Sequence, residues 1–207
     1  NFAHGEVFMF GAFGAFFFAD AWEASGFLDS NPLLSMGLLL VIAMLTSMGV
    51  AVLLERIAYR PLRNAPRLVP LITAIGASLF LANTARGFFG AQSRGFGVPS
   101  ALEGTWTILG VSVDRIQVVV LLTVIIAVTA LSLFVSRTTT GKSMRAVAAD
   151  SEIASLMGIR VDRVIVTTFA IGGLLAGIAA VLFAMTFESV SFTMGFRPGI
   201  AAFTAAV

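Results

Sequence analysis

Three long runs without a charged residue constrain what this chain can fold into. Residues 33–54, 116–136 and 164–187 contain 22, 21 and 24 residues, almost all apolar. A helix rises 1.5 Å per residue, so about 20 apolar residues cross the ~30 Å hydrocarbon core of a bilayer. Backbone groups in lipid must find hydrogen-bond partners within the chain, which favours helices for such segments. The three runs therefore predict transmembrane helices.

Three weaker segments complete the expected membrane domain. Residues 68–85 are charge-free but contain Pro70, and the Phe-rich residues 7–19 look like part of a span whose start is missing or broken around residues 1–6. Residues 201–207 look like the start of another segment. The expected fold is all-α: one polytopic transmembrane helical bundle over residues 1–207, with about five spans and a partial sixth. Without an initiator Met, and with an apolar C-terminal end, we expect a fragment lacking both ends.

The composition excludes several classes of protein. Charged residues make up 12% of the chain, about half the usual share in soluble domains, and apolar residues make up 58%. This argues against an ordinary soluble enzyme and also against a disordered chain. The chain has no Cys and one His, which removes thiolate chemistry and most metal sites. A net charge of +2 gives no indication of nucleic-acid binding.

The basic residues are concentrated in two connecting segments. Residues 55–67 and 137–163 carry nine of the thirteen Lys and Arg residues, and alternation of the spans puts both on the same side. The positive-inside rule assigns that side to the cytoplasm. The Gly-rich segment 86–115 then lies outside and is expected to form a small cap of short strands or turns. Segment 137–163 is expected to form short helices, the second ending at Gly158 in the C′ position.

Two glycine motifs are candidates for a function. Gly141-Lys142-Ser143 resembles the end of a phosphate-binding P-loop, but Ser136 occupies the position that needs glycine. If the protein uses ATP, another subunit must therefore bind it. The small residues in the last long run favour close helix packing over a direct contact with substrate. The expected packing glycines are Gly172, Gly173 and Gly177.

Polar residues near or inside the weaker spans are candidates for lining a pathway. A broken helix around residues 1–6 could place polar groups in a translocation pathway. Alternatively, these residues begin a helix at the cytoplasmic side, with Glu6 near the positive end of its dipole. In residues 68–85 the alternative to a pathway is hydrogen bonding between helices. The candidates are Asn1, His4, Glu6, Thr73, Gly76 and Asn83.

Several ordered motifs resemble one family. They are Asn-Phe-Ala-His-Gly-Glu (1–6), Glu-Arg-Ile-Ala-Tyr-Arg-Pro-Leu-Arg (55–63), Leu-Ile-Thr-Ala-Ile-Gly (71–76), Gly-Lys-Ser-Met-Arg-Ala (141–146), Ala-Ser-Leu-Met-Gly-Ile (154–159), Asp-Arg-Val-Ile (162–165) and Phe-Ala-Ile-Gly-Gly-Leu-Leu-Ala-Gly (169–177). Together they resemble the permease subunit of bacterial ABC importers for branched-chain amino acids. One departure stands at Ala201, where relatives usually have Lys in a Gly-x-Lys-x-Phe motif.

The resemblance implies a multi-pass subunit of the bacterial inner membrane, without catalytic residues and without a bound cofactor or metal. Its implied partners are a second permease subunit, identical or related, two cytoplasmic ATPase subunits that use ATP, and a periplasmic substrate-binding protein. Segment 137–163 would be the coupling loop that docks on the ATPase. The residues that take this role by resemblance are Gly141, Arg145, Ala146, Asp150, Ala154, Gly158 and Ile159.

Three other functions stay open or are disfavoured by the residues. A permease of the same type for urea or short amides would look similar. An ion-coupled secondary transporter would be expected to carry charged residues inside its spans. The four charge-free segments have none; they are residues 33–54, 68–85, 116–136 and 164–187. An intramembrane enzyme would need a catalytic constellation, whereas only His4 and Glu6 lie near membrane depth.

Overall fold

A computed structural model describes residues 2–63, 65–66, 68–108 and 111–206. Within these residues the chain is mostly helical, with two small antiparallel strand pairs. The helices are α1 (His4–Ala24), α2 (Phe27–Ser30), α3 (Pro32–Leu54), α4 (Leu68–Phe89), α5 (Arg115–Arg137), α6 (Thr139–Ala149), α7 (Ser151–Leu156), α8 (Val161–Phe187) and α9 (Phe196–Ala206). The strands are β1 (Arg94–Gly95), β2 (Thr105–Ile108), β3 (Val111–Asp114) and β4 (Ser189–Val190).

Five helices of the described chain are long and apolar enough to cross a membrane: α1, α3 with its extension to Leu62, α4, α5 and α8. Each contains one of the five predicted segments. Two bounds differ from the prediction. Helix α1 begins at His4 and runs unbroken to Ala24, so the described residues around Glu6 form a helix start and not a break. Helix α4 continues to Phe89, so the first residues of the expected outer segment are helical.

Helices α1, α3 and α8 form the centre of the bundle, and small residues allow them to approach closely. A Cβ atom added to Gly177 of α8 would lie 2.6 Å from the Cα atom of Met44 in α3. One added to Gly173 would lie 2.7 Å from the Cα atom of Met48. Backbone-to-backbone contact of this kind replaces the hydrophobic drive that lipid removes. At these two glycines the backbones of α3 and α8 are therefore in contact.

The connections at one end of the bundle form a small cap. Strands β1 and β4 pair with Arg94 opposite Val190, and β2 and β3 form a hairpin whose tip, residues 109–110, lies outside the described residues. The Asp29 carboxylate accepts a 2.8 Å hydrogen bond from the backbone N–H of Ser100, which ties the cap to α2. This hydrogen bond favours the ionised carboxylate and lowers the pKa of Asp29. The expected strands and turns are thus present.

The opposite end carries both basic segments. The segment expected as a loop over 55–67 is helical in its first part: α3 continues as a π-helical turn at Glu55–Tyr59 and a 3-10 turn at Arg60–Leu62. Asn64 and Arg67 lie outside the described residues. After this π turn, the Arg63 guanidinium contacts the Glu55 carboxylate. Local hydropathy carries no signal for this continuation.

The second basic segment forms the two short helices expected of it. Helix α7 ends with Gly158 at φ +82°, a left-handed conformation that glycine adopts without strain. The N–H of Gly158 donates to the carbonyl of Ser155, and the N–H of Ile159 donates to that of Ala154. These are the two hydrogen bonds of a Schellman motif. The prediction that Gly158 terminates this helix is confirmed.

Candidate functional site

A cavity of about 1110 Å³ opens between α1, α4, α8 and residues 191–201, which include the start of α9. We call it the α9 cavity. Most of its surface is apolar. The large apolar side chains that line it include Phe2, Ile75, Leu79, Phe183, Phe187 and Ile200. Binding sites for small molecules are typically concave and apolar, with a few polar groups that orient the ligand.

Residues 191–195 lead from strand β4 in the cap back into the bundle. At the start of α9, a Cβ atom on Gly195 would overlap the Gly5 carbonyl of α1, and one on Gly199 would lie 3.1 Å from the Gly5 Cα atom. Three glycines thus allow two backbones to touch. The rings of Phe2 and Phe203 then stack with centroids 4.3 Å apart. The chain enters the bundle here because no side chain separates α9 from α1.

The cavity lies at the depth of the membrane spans. The Ser47 hydroxyl of α3 donates a 3.1 Å hydrogen bond to the carbonyl of Val7, the residue that follows Glu6. Ser47 is inside the charge-free run 33–54, so the first two turns of α1 lie beside the apolar part of α3. Polar and irregular backbone at that depth is tolerated where it is buried in protein or lines an aqueous cavity.

Glu6 is the buried carboxylate of the cavity. Glu6 is 4% exposed, and its Oε1 atom accepts a 2.9 Å hydrogen bond from the Ser78 hydroxyl of α4. Its Oε2 is buried and has no hydrogen-bond partner among the described residues. Arg197, in the first turn of α9, is the other ionisable residue in the described lining. The cavity therefore combines an apolar wall with one anionic and one cationic side chain.

Of the predicted pathway residues that the structure describes, one lines the cavity. Glu6 lines the cavity, whereas His4, Thr73, Gly76 and Asn83 do not, and Asn1 lies outside the described residues. His4 faces Gly172 of α8, with its Cε1 atom 3.3 Å from the position of an added Cβ. The Asn83 amide donates to the carbonyl of Leu79 in its own helix, at 2.8 Å.

Helix α4 presents a different face to the cavity than its polar residues suggested. The lining residues are Ile75, Ser78, Leu79 and Ala82. Their spacing of three, four and seven residues follows one face of a helix. The predicted candidates in this helix, Thr73, Gly76 and Asn83, lie on other faces of it. Residues 191–200 were missed altogether; the available signal was the charged Arg197 between Gly195 and Gly199, immediately before an apolar segment.

The expected coupling residues give α6 and α7 a fixed geometry. The Thr138 hydroxyl accepts a 3.0 Å hydrogen bond from the N–H of Gly141 and caps α6. A side chain on Gly141 would overlap the backbone carbonyl of Val135 at the end of α5. The Asp150 carboxylate accepts two 2.9 Å hydrogen bonds, from the N–H groups of Glu152 and Ile153, and caps α7. Further contacts, described next, also hold α6 and α7 in place.

Arg145 and Ala154 attach the short helices to the bundle, and an apolar face of α7 is left uncovered. Arg145 donates to the carbonyl of Val135, and Ala154 is buried. On α7 and its C-terminus, by contrast, Leu156 is 81% exposed, and Ile153 and Met157 are also exposed. Contiguous exposed apolar side chains are typical of surfaces that bind another protein or a membrane. We call Ile153, Leu156 and Met157 the α7 face.

A cluster of ion pairs joins the two basic segments, and one of its carboxylates is buried. Arg63 contacts the carboxylates of both Glu55 and Asp162, and Arg60 lies 3.4 Å from Asp162. Glu55 is fully buried, whereas Asp162 is exposed. Asp162 is in the first turn of α8, so the cluster connects the end of α3 with the start of α8. Sequence analysis did not pair these residues, because 99 positions separate Arg63 from Asp162.

Comparison with known proteins assigns the chain to a family. A family model described as the permease component of a branched-chain amino acid transport system matches residues 1–207. The chain is 38% identical over 212 residues to the high-affinity branched-chain amino acid transport system permease protein BraD of Pseudomonas aeruginosa, and equally to LivH of Salmonella typhimurium and of Escherichia coli. These matches cover all of this chain and 68% of each relative.

No solved structure matches the chain significantly. The sequence match, by contrast, extends over every element described above, from the first turn of α1 to α9. Its five apolar helices and its relatives make it a multi-pass membrane protein. The chain therefore belongs to the family of permease components of branched-chain amino acid transport systems.

Proposed function

We propose that this chain forms part of the translocation pathway of an ATP-driven importer that carries branched-chain amino acids across the bacterial inner membrane. The observation that supports this most is the α9 cavity, an apolar space at membrane depth with a buried carboxylate and a guanidinium. A branched aliphatic side chain needs an apolar wall, and the ammonium and carboxylate of the amino acid need polar partners. The cavity offers both.

The proposed orientation puts the basic segments in the cytoplasm and the cap in the periplasm. Arg60, Arg63 and the coupling segment lie at one end of the bundle, and the paired strands lie at the other. The positive-inside rule supports this assignment. The periplasmic cap would then face the substrate-binding protein, and the coupling segment would face the ATPase subunits. A second permease subunit would complete the pathway, and lipid would contact the exposed apolar face of α5.

In the proposed mechanism, the partner ATPases hydrolyse ATP and this chain has no catalytic role. Nucleotide binding moves the ATPase surface that holds the α7 face. Because α6 is fixed to α5 through Gly141 and Arg145, and Gly158 leads directly into α8, that movement reaches two spans. The spans then alternate between an outward-open and an inward-open arrangement, a two-state equilibrium that nucleotide biases.

Transport of leucine is the first expected result. The complete importer, with its full-length permease pair, ATPases and binding protein, is reconstituted in proteoliposomes. Uptake of labelled leucine is expected with ATP inside the vesicles and is expected to disappear without it. Labelled urea is the control. Uptake of urea alone would assign the substrate to the urea and amide branch, and uptake that follows an ion gradient instead of ATP would contradict the proposed function.

Charge on the α7 face is expected to break the contact with the ATPase. In Leu156→Asp, a carboxylate replaces an apolar side chain that the proposed interface would bury unpaired, which costs several kcal/mol. We expect ATPase co-purification to fall by about tenfold or more and leucine uptake to stop. Leu156→Met keeps the apolar surface and is expected to behave like the unchanged permease. Equal co-purification of both variants would show that the ATPase docks elsewhere.

A further inference from the structure

The α9 cavity contains two charges of opposite sign whose described surroundings leave them available to a ligand. Glu6 is only 4% exposed, and its Oε2 atom has no hydrogen-bond partner among the described residues. Arg197 makes no ion pair among the described residues, although it lines the same cavity. Ionisable residues at membrane depth are costly and typically mark the path of a substrate or ion.

The two residues are held near each other by the glycine contact between α1 and α9. A Cβ atom on Gly195 would lie 3.3 Å from the backbone nitrogen of Glu6, and Gly199 approaches Gly5. Arg197 lies between these two glycines in the sequence. The backbone segments that carry the carboxylate and the guanidinium therefore touch, while Ile75, Leu79 and Phe183 supply an apolar wall beside them.

Arg197 shares one face of α9 with an uncharged residue, Ala201. Positions 197 and 201 are four residues apart in α9, so they lie on one face of the helix, and both line the cavity. A cation on the preceding helical turn thus reaches the same space from a position about 6 Å away along the helix axis.

We propose that Arg197 and Glu6 bind the two charged ends of a zwitterionic amino acid in the α9 cavity. The Arg197 guanidinium holds the substrate carboxylate, and the Glu6 carboxylate holds the substrate ammonium. This inference rests on the proposed function and deepens it, since it names the residues that distinguish an amino acid from an uncharged amide. A guanidinium matches a carboxylate with two parallel hydrogen bonds, which an amide cannot reproduce.

Moving the cation along α9 tests the assignment of Arg197. Leucine uptake is measured in the reconstituted importer for Arg197→Ala, for the double variant Arg197→Ala/Ala201→Lys, and for Arg56→Ala as a control. Arg56 is an exposed arginine outside the cavity. We expect Arg197→Ala to lower uptake at subsaturating leucine by about tenfold or more, because a charge-assisted hydrogen bond is lost. The double variant is expected to recover to within about threefold of the unchanged permease.

Glu6→Gln tests the other end of the zwitterion. Glutamine keeps the size of the side chain and an oxygen that accepts from Ser78, but it removes the negative charge. We expect Glu6→Gln to lower leucine uptake by about tenfold or more. Glu6→Asp keeps the negative charge and is expected to take up leucine faster than Glu6→Gln. Co-purification of the ATPases in unchanged yield shows that each variant is folded and assembled. The binding protein is the same in every vesicle, so a difference between variants belongs to the permease.

Three results would overturn the inference: wild-type uptake by Arg197→Ala, a double variant no better than Arg197→Ala, or wild-type uptake by Glu6→Gln. Each of them leaves ATP-dependent leucine uptake by the unchanged importer in place, and with it the proposed function. If the unchanged importer carries urea and not leucine, the proposed function fails before any variant is compared. The two failures are therefore distinguishable.

Discussion

Replacing Arg63 by alanine is expected to lower the free energy of unfolding of the permease by about 3–5 kcal/mol. Arg63 is the cation paired with Glu55, whose side chain is fully buried at the end of α3. The Glu55 Oε2 atom already has no hydrogen-bond partner among the described residues. Without the guanidinium, a buried carboxylate would have to remain unpaired or take up a proton, and both are costly. The measurement is denaturant-induced unfolding of the purified full-length permease in detergent.

Arg60→Ala is the matched control. It removes an arginine three residues earlier, whose only ion pair among the described residues is with the exposed Asp162, at 3.4 Å. Exposed pairs contribute about 0–1 kcal/mol, so a small change is expected. The double variant Glu55→Leu/Arg63→Met removes both charges and is expected to recover most of the stability lost in Arg63→Ala. A loss in Arg60→Ala as large as that in Arg63→Ala would contradict the special role of the buried pair.

Gly177→Leu is expected to destabilise the bundle by about 3 kcal/mol or more, because the new side chain has no space. An added Cβ would already lie 2.6 Å from the Cα atom of Met44, and backbone cannot move aside as a flexible side chain does. Helices α3 and α8 would have to separate along their most extensive interface. We expect a lower midpoint of thermal unfolding and a lower yield of monodisperse full-length permease in detergent.

Gly49→Leu is the control for this substitution. Gly49 lies in α3, and an added Cβ there would meet no atom within 4 Å among the described residues. The same change of side chain, with the same gain in helix propensity, should therefore cost less than about 1 kcal/mol. If both variants unfold at the same midpoint, close packing at Gly177 does not stabilise the bundle. The two predictions address separate contacts. One is the ion pair of Arg63 at the end of α3, and the other is the packing of Gly177 from α8 against the middle of α3.

The candidate site was predicted only in part, and the reason differs for each residue. Glu6 was predicted because it belongs to the most polar stretch close to a span, residues 1–6. Thr73 and Asn83 were predicted from their polarity and Gly76 from the room it leaves, but the cavity face of α4 is set by how that helix is rotated against α1. Ser78 is on that face because it donates to Glu6, 72 residues away. Rotation depends on side chains from several helices at once, and no local pattern encodes it.

Helices α6 and α7 were predicted better from the sequence than the cavity was. Its helix ends follow from local chemistry: the hydroxyl of Thr138, the carboxylate of Asp150 and the absence of a side chain at Gly158. Each acts on backbone groups within a few residues of itself. Sequence analysis therefore located these short helices correctly. It had no means to show that the α7 face is exposed, because exposure depends on which side of α7 the bundle covers.

By itself, the sequence determined the elements that depend on short-range rules. Charge-free length specifies a span, the distribution of arginines predicts its orientation, and caps and glycines specify helix ends. Only the tertiary structure decided which residues meet: Arg63 with Glu55 and Asp162, Gly195 with Gly5, and Arg197 with Glu6 in one cavity. The physical reason is that lipid satisfies every apolar helix face nearly equally. Helices therefore choose their neighbours by close packing and buried polar contacts, which join residues far apart in the chain.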